Sequence, residues 1–261
     1  MQTFISSSVF KQDLKKAASL ATELGCNLEI SRFPFFTNDE EKKSVFAKVK
    51  SDLADFSGEL SVHGYFSDLN AASKDKELAQ LSQKRHYQTL EFAQAVGAKT
   101  ILFHTGYVPF RHPDFQRRYR NNYRAFWLEF VKYVEDAQIV AVLENVLEES
   151  PEQNLSIVRD VNSNNLKLSI DAGHVNVYSE DSVETWIKAY GNNLYHMHIH
   201  NNFGDNDDHK SLCSGTLNFE NIFKTIKAEN LSPKVILEIF EEEPLRESVA
   251  YFKKIIKENQ L

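Results

Sequence analysis

Short runs of apolar and β-branched residues alternate along this chain with longer stretches in which apolar residues recur every three or four positions. The short runs are TFISSSV, NLEIS, ELSVHGY, KTILFHT, IVAVLEN, LKLSIDA, LYHMHIH and KVILEIF. Such runs predict buried strands, and the longer spacing between them predicts amphipathic helices. The first helical stretch puts Leu14, Ala17, Ala18, Ala21 and Leu24 on one face. The last does the same with Leu245, Val249, Phe252, Ile255 and Ile256, with Lys and Glu between them. Three stretches close on a glycine before the next run (ELGCNLEI, AVGAKTIL and AYGNNLYH), which predicts left-handed C-caps at Gly25, Gly97 and Gly191. Eight alternating strand–helix units argue for a parallel sheet, and eight suits closure into a single (β/α)8 TIM barrel over residues 1–261. A doubly wound open sheet is the alternative. It usually carries a glycine-rich nucleotide loop, and this chain has neither GxGxxG nor a P-loop among its nine glycines.

Composition narrows the picture. With 42 % hydrophobic residues in 261, the chain can bury a large core. No apolar run approaches the roughly 20 residues of a membrane span, and the first residues lack a basic segment followed by a long apolar one. A cytoplasmic protein without a membrane partner is expected. Lys and Arg number 30 against 37 Asp and Glu, a net charge of −7, which disfavours a nucleic-acid partner without forbidding a local basic patch. Cys26 and Cys213 stand far apart with no CxxC spacing, so reduced thiols are expected rather than a disulfide.

The informative residues fall at the ends of the predicted strands. His63 ends the third, His104 the fourth, Glu144 the fifth and Asp171 the sixth, with His174 three residues on; Glu238 ends the eighth. In a barrel those ends converge on one face, where active sites are built. One strand-end His or Asp is usually a hydrogen-bonded structural residue. Six consecutive strands so ended are harder to explain that way, because a carboxylate inside AVLENV or VILEIF is costly to bury unless paired or metal-bound. The seventh strand leads into LYHMHIHNNFGDNDDHK, with four of the nine histidines and three aspartates. Alternation puts Tyr195, Met197 and Ile199 on the helix side and His196, His198 and His200 toward the barrel axis. Mixed nitrogen and oxygen donors suit Zn²⁺, Mn²⁺, Co²⁺ or Fe²⁺, and no cysteine joins them to make a closed structural zinc site. No GxSxG elbow supports a serine nucleophile. The segment RHPDFQRRYRNNYR holds Arg111, Arg117, Arg118, Arg120 and Arg124. These arginines either clamp a phosphate or carboxylate, Arg111 first among them, or form the solvated first turn of an amphipathic helix.

At these residues the chain resembles the xylose-isomerase-like TIM-barrel superfamily, which contains sugar isomerases and epimerases together with endonuclease IV. The resemblance runs from Glu29 in NLEIS to Glu238. It implies one divalent ion, Mn, Zn or Co, held by Glu144 in LEN, Asp171 in IDAGH, His198 in HIHNN and Glu238 in LEI. The pattern after the seventh strand is similar to HxHDNxGxxDxH, except that Asn201 stands where an aspartate is usual. The resemblance further implies Glu144 and Glu238 as the acid–base pair, His174 and His200 as substrate contacts, and a small carbohydrate as substrate, isomerised through an enediolate. His196 is expected to be structural. Endonuclease IV is similar too, with nine ligands for three zinc ions, and each has a counterpart here. The additional ones are His63, His104, His174, Asp207 and His209. That match implies up to three ions and an alternative activity, cleavage of abasic DNA. A barrel that binds metal without catalysis is the third reading.

Overall fold

The structure, a computed structural model, describes residues 1–11, 13–109 and 112–260. Eight strands, β1 (Thr3–Ser6), β2 (Asn27–Ile30), β3 (Leu60–His63), β4 (Thr100–His104), β5 (Val140–Glu144), β6 (Leu166–Asp171), β7 (Leu194–Ile199) and β8 (Lys234–Leu237), pair in parallel in sequence order. β8 pairs with β1 and closes the barrel. The helices are α1 (Leu14–Leu24), α2 (Asp39–Asp52), α3 (Lys76–Val96), α4 (Pro113–Asp136), α5 (Glu152–Val161), α6 (Ala172–Tyr178), α7 (Val183–Tyr190), α8 (Phe219–Ala228) and α9 (Glu242–Asn259). Every predicted run contains a strand, so the (β/α)8 expectation holds. No described helix is long and apolar enough to cross a membrane.

The differences are local. TFISSSV stops being a strand at Ser6, whose hydroxyl accepts a bond from the Ser8 amide and turns Ser7–Phe10 into a 3-10 helix. Gly25 and Gly97 cap α1 and α3 in the left-handed region. Gly191 does not: at φ 48°, ψ −131° it leads into a short 3-10 turn before β7.

The apolar core is an annulus between sheet and helices. Leu14, Ala17, Ala18 and Ala21 of α1 and Leu245, Val249, Phe252 and Ile255 of α9 are buried in it, as their spacing predicts. Between α3 and α4 it holds one polar ring. His86 stacks on Phe103 at 4.5 Å and meets Phe126 and Phe130 edge-on. Its Nδ1 lies 2.9 Å from the Ser82 carbonyl, and Nε2 has no partner. Burial pushes this imidazole down to about 4.

Candidate metal centre

Inside the barrel the side chains form layers, and polar residues share those layers with the buried Leu102, Val142 and Ile236, where branched apolar residues commonly fill the whole space. At the closed end the buried Lys234 ammonium donates to Thr100 Oγ1 at 2.8 Å and pairs with Glu59. Above it sit Glu29, Ser61, Ser169 and His196, brought level by the pairings of Glu29 with Ser61 and Ser169 with His196. The next layer is set by Asp171 opposite His198 and His104 opposite Glu144.

His198 is the hub. Its Nε2 lies 2.9 Å from Glu29 Oε1, while Nδ1 faces Glu144 Oε1 at 2.8 Å, Glu238 Oε2 at 3.1 Å and Asp171 Oδ2 at 3.8 Å. These approaches on the Nδ1 side are not all hydrogen bonds. Both Glu144 oxygens, Asp171 Oδ2 and His198 Nδ1 are buried without a hydrogen-bond partner. Polar atoms stripped of water and pointed at one another without bonding are costly unless an ion completes the group. Asp171 divides its work: Oδ1 accepts the His174 amide at 2.7 Å and caps α6, which leaves Oδ2 for the centre. The donor set therefore fits a divalent ion.

Two further groups adjoin this one. His104 Nε2 lies 2.7 Å from Glu144 Oε2, with His63 Nε2 4.0 Å from the same oxygen. On the other side Asp207 Oδ2 is 3.2 Å from His174 Nε2 and 3.1 Å from His209 Nε2. The loop that carries Asp207 and His209 returns over the centre because Asn201 and Lys210 pair through both backbone groups. Asn201 also donates to the Leu212 carbonyl and accepts the Leu217 amide, a donor–acceptor double role that an aspartate cannot fill. His200 is fully buried, 3.2 Å from Asp171 Oδ1, and stacks on His209 at 3.9 Å. A Cβ on Gly173 would come within 1.9 Å of its ring, so only glycine admits it. The His200 Nε2 also lies 3.4 Å from Asp207 Oδ1, and neither ring nitrogen has a hydrogen-bond partner, so His200 joins Asp207 and His209 in a further group of candidate donors, where the sequence reading gave it to substrate or to the surroundings of the metal. His174 does line the opening.

Five carboxylates thus share the two upper layers of the barrel and its mouth with seven of the nine histidines. Burial would raise Glu144, but His198 and His104 hold it well below the usual carboxylate range. Glu29, Asp171 and Asp207 are likewise lowered by their histidines against the effect of burial. Glu238 falls to about 2. In return, burial opposes charge on His198 and His174, yet neighbouring carboxylates push both well above their ordinary value, and His209 rises to about 9. His63 goes down, through burial and the nearby His104. No Lys or Arg pairs with these five carboxylates among the described residues. Imidazolium or metal must supply the balancing charge.

The arginine segment lies elsewhere. Arg111 is outside the described residues. Arg117 pairs with Asp114 at 2.8 Å, and Arg120 and Arg124 pair with Asp160 of α5 at 3.1 and 3.6 Å. They wall a cleft of about 700 Å³ between α4 and α5 that shares no lining residue with the mouth of the centre. Residue reasoning gave Glu29 no role, although a carboxylate inside NLEIS is the same signal as Glu144 inside AVLENV. Its two oxygens hold His198 and His196, the latter also bonded to Ser169 at 2.9 Å, in keeping with a structural His196.

Comparison with known proteins agrees with this architecture. A D-tagatose 3-epimerase-like protein superimposes with a TM-score of 0.82 at 24 % identity, over 100 % of this chain and 98 % of its own. The TTHB071 protein of Thermus thermophilus, soaked with ZnCl2, gives 0.82 at 22 %, over 99 % of each chain. The 3-keto-D-glucoside 4-epimerase YcjR of E. coli gives 0.76 at 19 %, over 97 % and 99 %. MJ1311 of Methanocaldococcus jannaschii is 31 % identical over 177 residues, 65 % of this chain and 60 % of that protein's length. The family model described as xylose isomerase-like TIM barrel matches residues 20–255, and the chain belongs to that family.

Proposed function

We propose that this protein is a divalent-metal-dependent isomerase or epimerase of a small sugar, sugar phosphate or polyol derivative. The carrying observation is that both Glu144 oxygens, Asp171 Oδ2 and His198 Nδ1 are buried and face one another without hydrogen-bond partners, with Glu238 Oε2 3.1 Å from the same nitrogen. A divalent ion such as Mn²⁺, Zn²⁺ or Co²⁺ held by these four would act as a Lewis acid, stabilising developing oxygen charge by several kcal/mol. Glu144 Oε1 and Glu238 Oε2 both face His198 Nδ1, at 2.8 and 3.1 Å. One takes the proton from the carbon beside the substrate carbonyl and the other returns it to the enediolate. Positioned carboxylates of this kind contribute roughly 10²–10⁴-fold. His198 is fixed from behind by Glu29, and His174, at the opening, donates to a substrate hydroxyl.

The flanking groups, His63–His104–Glu144 and His174–Asp207–His209, support a second reading, a three-metal phosphodiesterase of the endonuclease IV kind. One experiment separates the two. The purified protein is analysed for bound metal, incubated with ketoses and their phosphates in deuterated water with Mn²⁺, Co²⁺ or Zn²⁺, and offered an abasic oligonucleotide. Exchange of a carbon-bound proton with one ion per chain is expected. Nicking with three ions per chain and no exchange would replace the first reading with the second.

A further inference from the structure

The mouth of the centre, a cavity of about 260 Å³, continues into a cleft of about 490 Å³ that the proton transfer does not use. The two share Arg32, His63 and Phe66 as walls. Arg32 is the one lysine or arginine lining either cavity among the described residues. Carboxylates line the same mouth, Asp207 and Glu238, yet Arg32 pairs with no described carboxylate. Its guanidinium lies 5.6 Å from the centre of the Phe240 ring, which in turn stacks on His209 at 4.0 Å. Phe66, which lies against His104 at 4.8 Å, lines both cavities. A ligand entering the centre therefore passes two exposed phenyl rings with an unpaired guanidinium beside it.

The backbone adds a second observation. Arg32 has φ +56°, in the left-handed region that disfavours any residue with a Cβ. This turn sends Phe33 into the core, where it stacks on Phe92 at 3.9 Å. Glycine would make the same turn without strain. Strain kept at the rim of a functional cavity points to use of the side chain. Two hydroxyl residues line the same cavities as Arg32: Ser31, bonded to Ser6 Oγ at 3.0 Å, in the mouth, and Ser67 in the cleft. A planar fork with hydroxyl donors around it suits an anion of three terminal oxygens better than a carboxylate, which the fork alone would satisfy.

We propose that Arg32, with Ser31 and Ser67, forms a subsite for the phosphate of a phosphorylated sugar, remote from the reacting carbons. This rests on the isomerase reading and names its substrate class.

The test reads binding rather than turnover. Titration calorimetry on the metal-loaded protein compares ribulose 5-phosphate with ribulose, fructose 6-phosphate with fructose, and glucuronate with glucose. In at least one phosphate pair the phosphorylated member should bind about tenfold to a hundredfold more tightly, the range for hydrogen bonds to a charged group. Arg32→Gln should erase that difference, and Arg32→Lys should restore part of it by keeping the charge without the fork. Arg32→Gly should erase it too while melting at or above the wild-type temperature, so its loss would not be a folding defect. Equal binding within each phosphate pair, a preference for glucuronate alone, no binding at all, or a preference that survives in Arg32→Gln would each overturn the proposal. A phosphate preference without deuterium exchange would sink the isomerase reading and leave the subsite. Exchange on free sugars without that preference would do the reverse.

Discussion

His86 makes acid sensitivity of this fold calculable from one side chain. It sits in an aromatic box between α3 and α4, far in function from the metal centre, with Nδ1 committed to the Ser82 carbonyl and Nε2 unpartnered. Burial lowers its pKa from 6.5 to about 4, so the unfolded chain binds a proton there that the folded chain refuses. The stabilisation from keeping it neutral is complete above 6.5 and is lost as pH falls toward 4. The full gap corresponds to about 3 kcal/mol at ~1.4 kcal/mol per tenfold, and about 2 kcal/mol of it is lost between about pH 7 and pH 4.5. His86→Phe keeps a ring in the box and removes the proton site. Urea unfolding of both proteins across that range isolates the effect, because the centre's carboxylates titrate alike in each and cancel in the difference. The stability gap should move by about 2 kcal/mol in favour of His86→Phe as the solution is acidified. Two stability curves that stay parallel would show that His86 is protonated at no cost, and the burial argument would fail.

Three further outcomes follow from the centre. Zn²⁺ or Mn²⁺ at a hundredfold excess over its dissociation constant should add about 2.7 kcal/mol of stability, a shift of roughly 5–10 °C at this size. His198→Ala should abolish that shift in a thermal melt. Gly173→Ala puts a methyl carbon into the His200 ring, so a loss of about 1–3 kcal/mol in urea unfolding is expected; wild-type stability would mean that His200 can move aside. Glu29→Gln leaves the ligands in place but removes the charge behind His198, and metal affinity should fall roughly 10–100-fold by competition with a chelating dye.

The barrel was legible in the sequence because parallel strands buried on both faces read as nearly continuous apolar runs. For the same reason Glu144, Asp171 and Glu238 stood out, each a charge at the end of such a run. What was not legible depended on the third dimension. His86 looks like any helical histidine until α4 closes over it. The room for the His200 ring is left by Gly173 in the first turn of α6. Arg32 lies in a stretch with no periodicity, and the proposal for it comes from a backbone angle and from its pairing with no described carboxylate. The arginines of α4 were conspicuous in sequence yet are answered by Asp114 and Asp160, the second on a different helix.

The polar interior has a consequence for how this molecule tolerates change. Lys234 donates to the Thr100 hydroxyl, Ser61 to the Thr100 carbonyl and to Glu29, and Glu29 meets His198 Nε2, whose Nδ1 faces the carboxylates above. A substrate reaching only the open end would still feel a proton or a charge lost at the closed one. Several positions remote from any ligand, which in an apolar barrel would be free to exchange one aliphatic residue for another, here belong to a polar network instead. Drift at the floor of the barrel is then constrained by chemistry at its mouth.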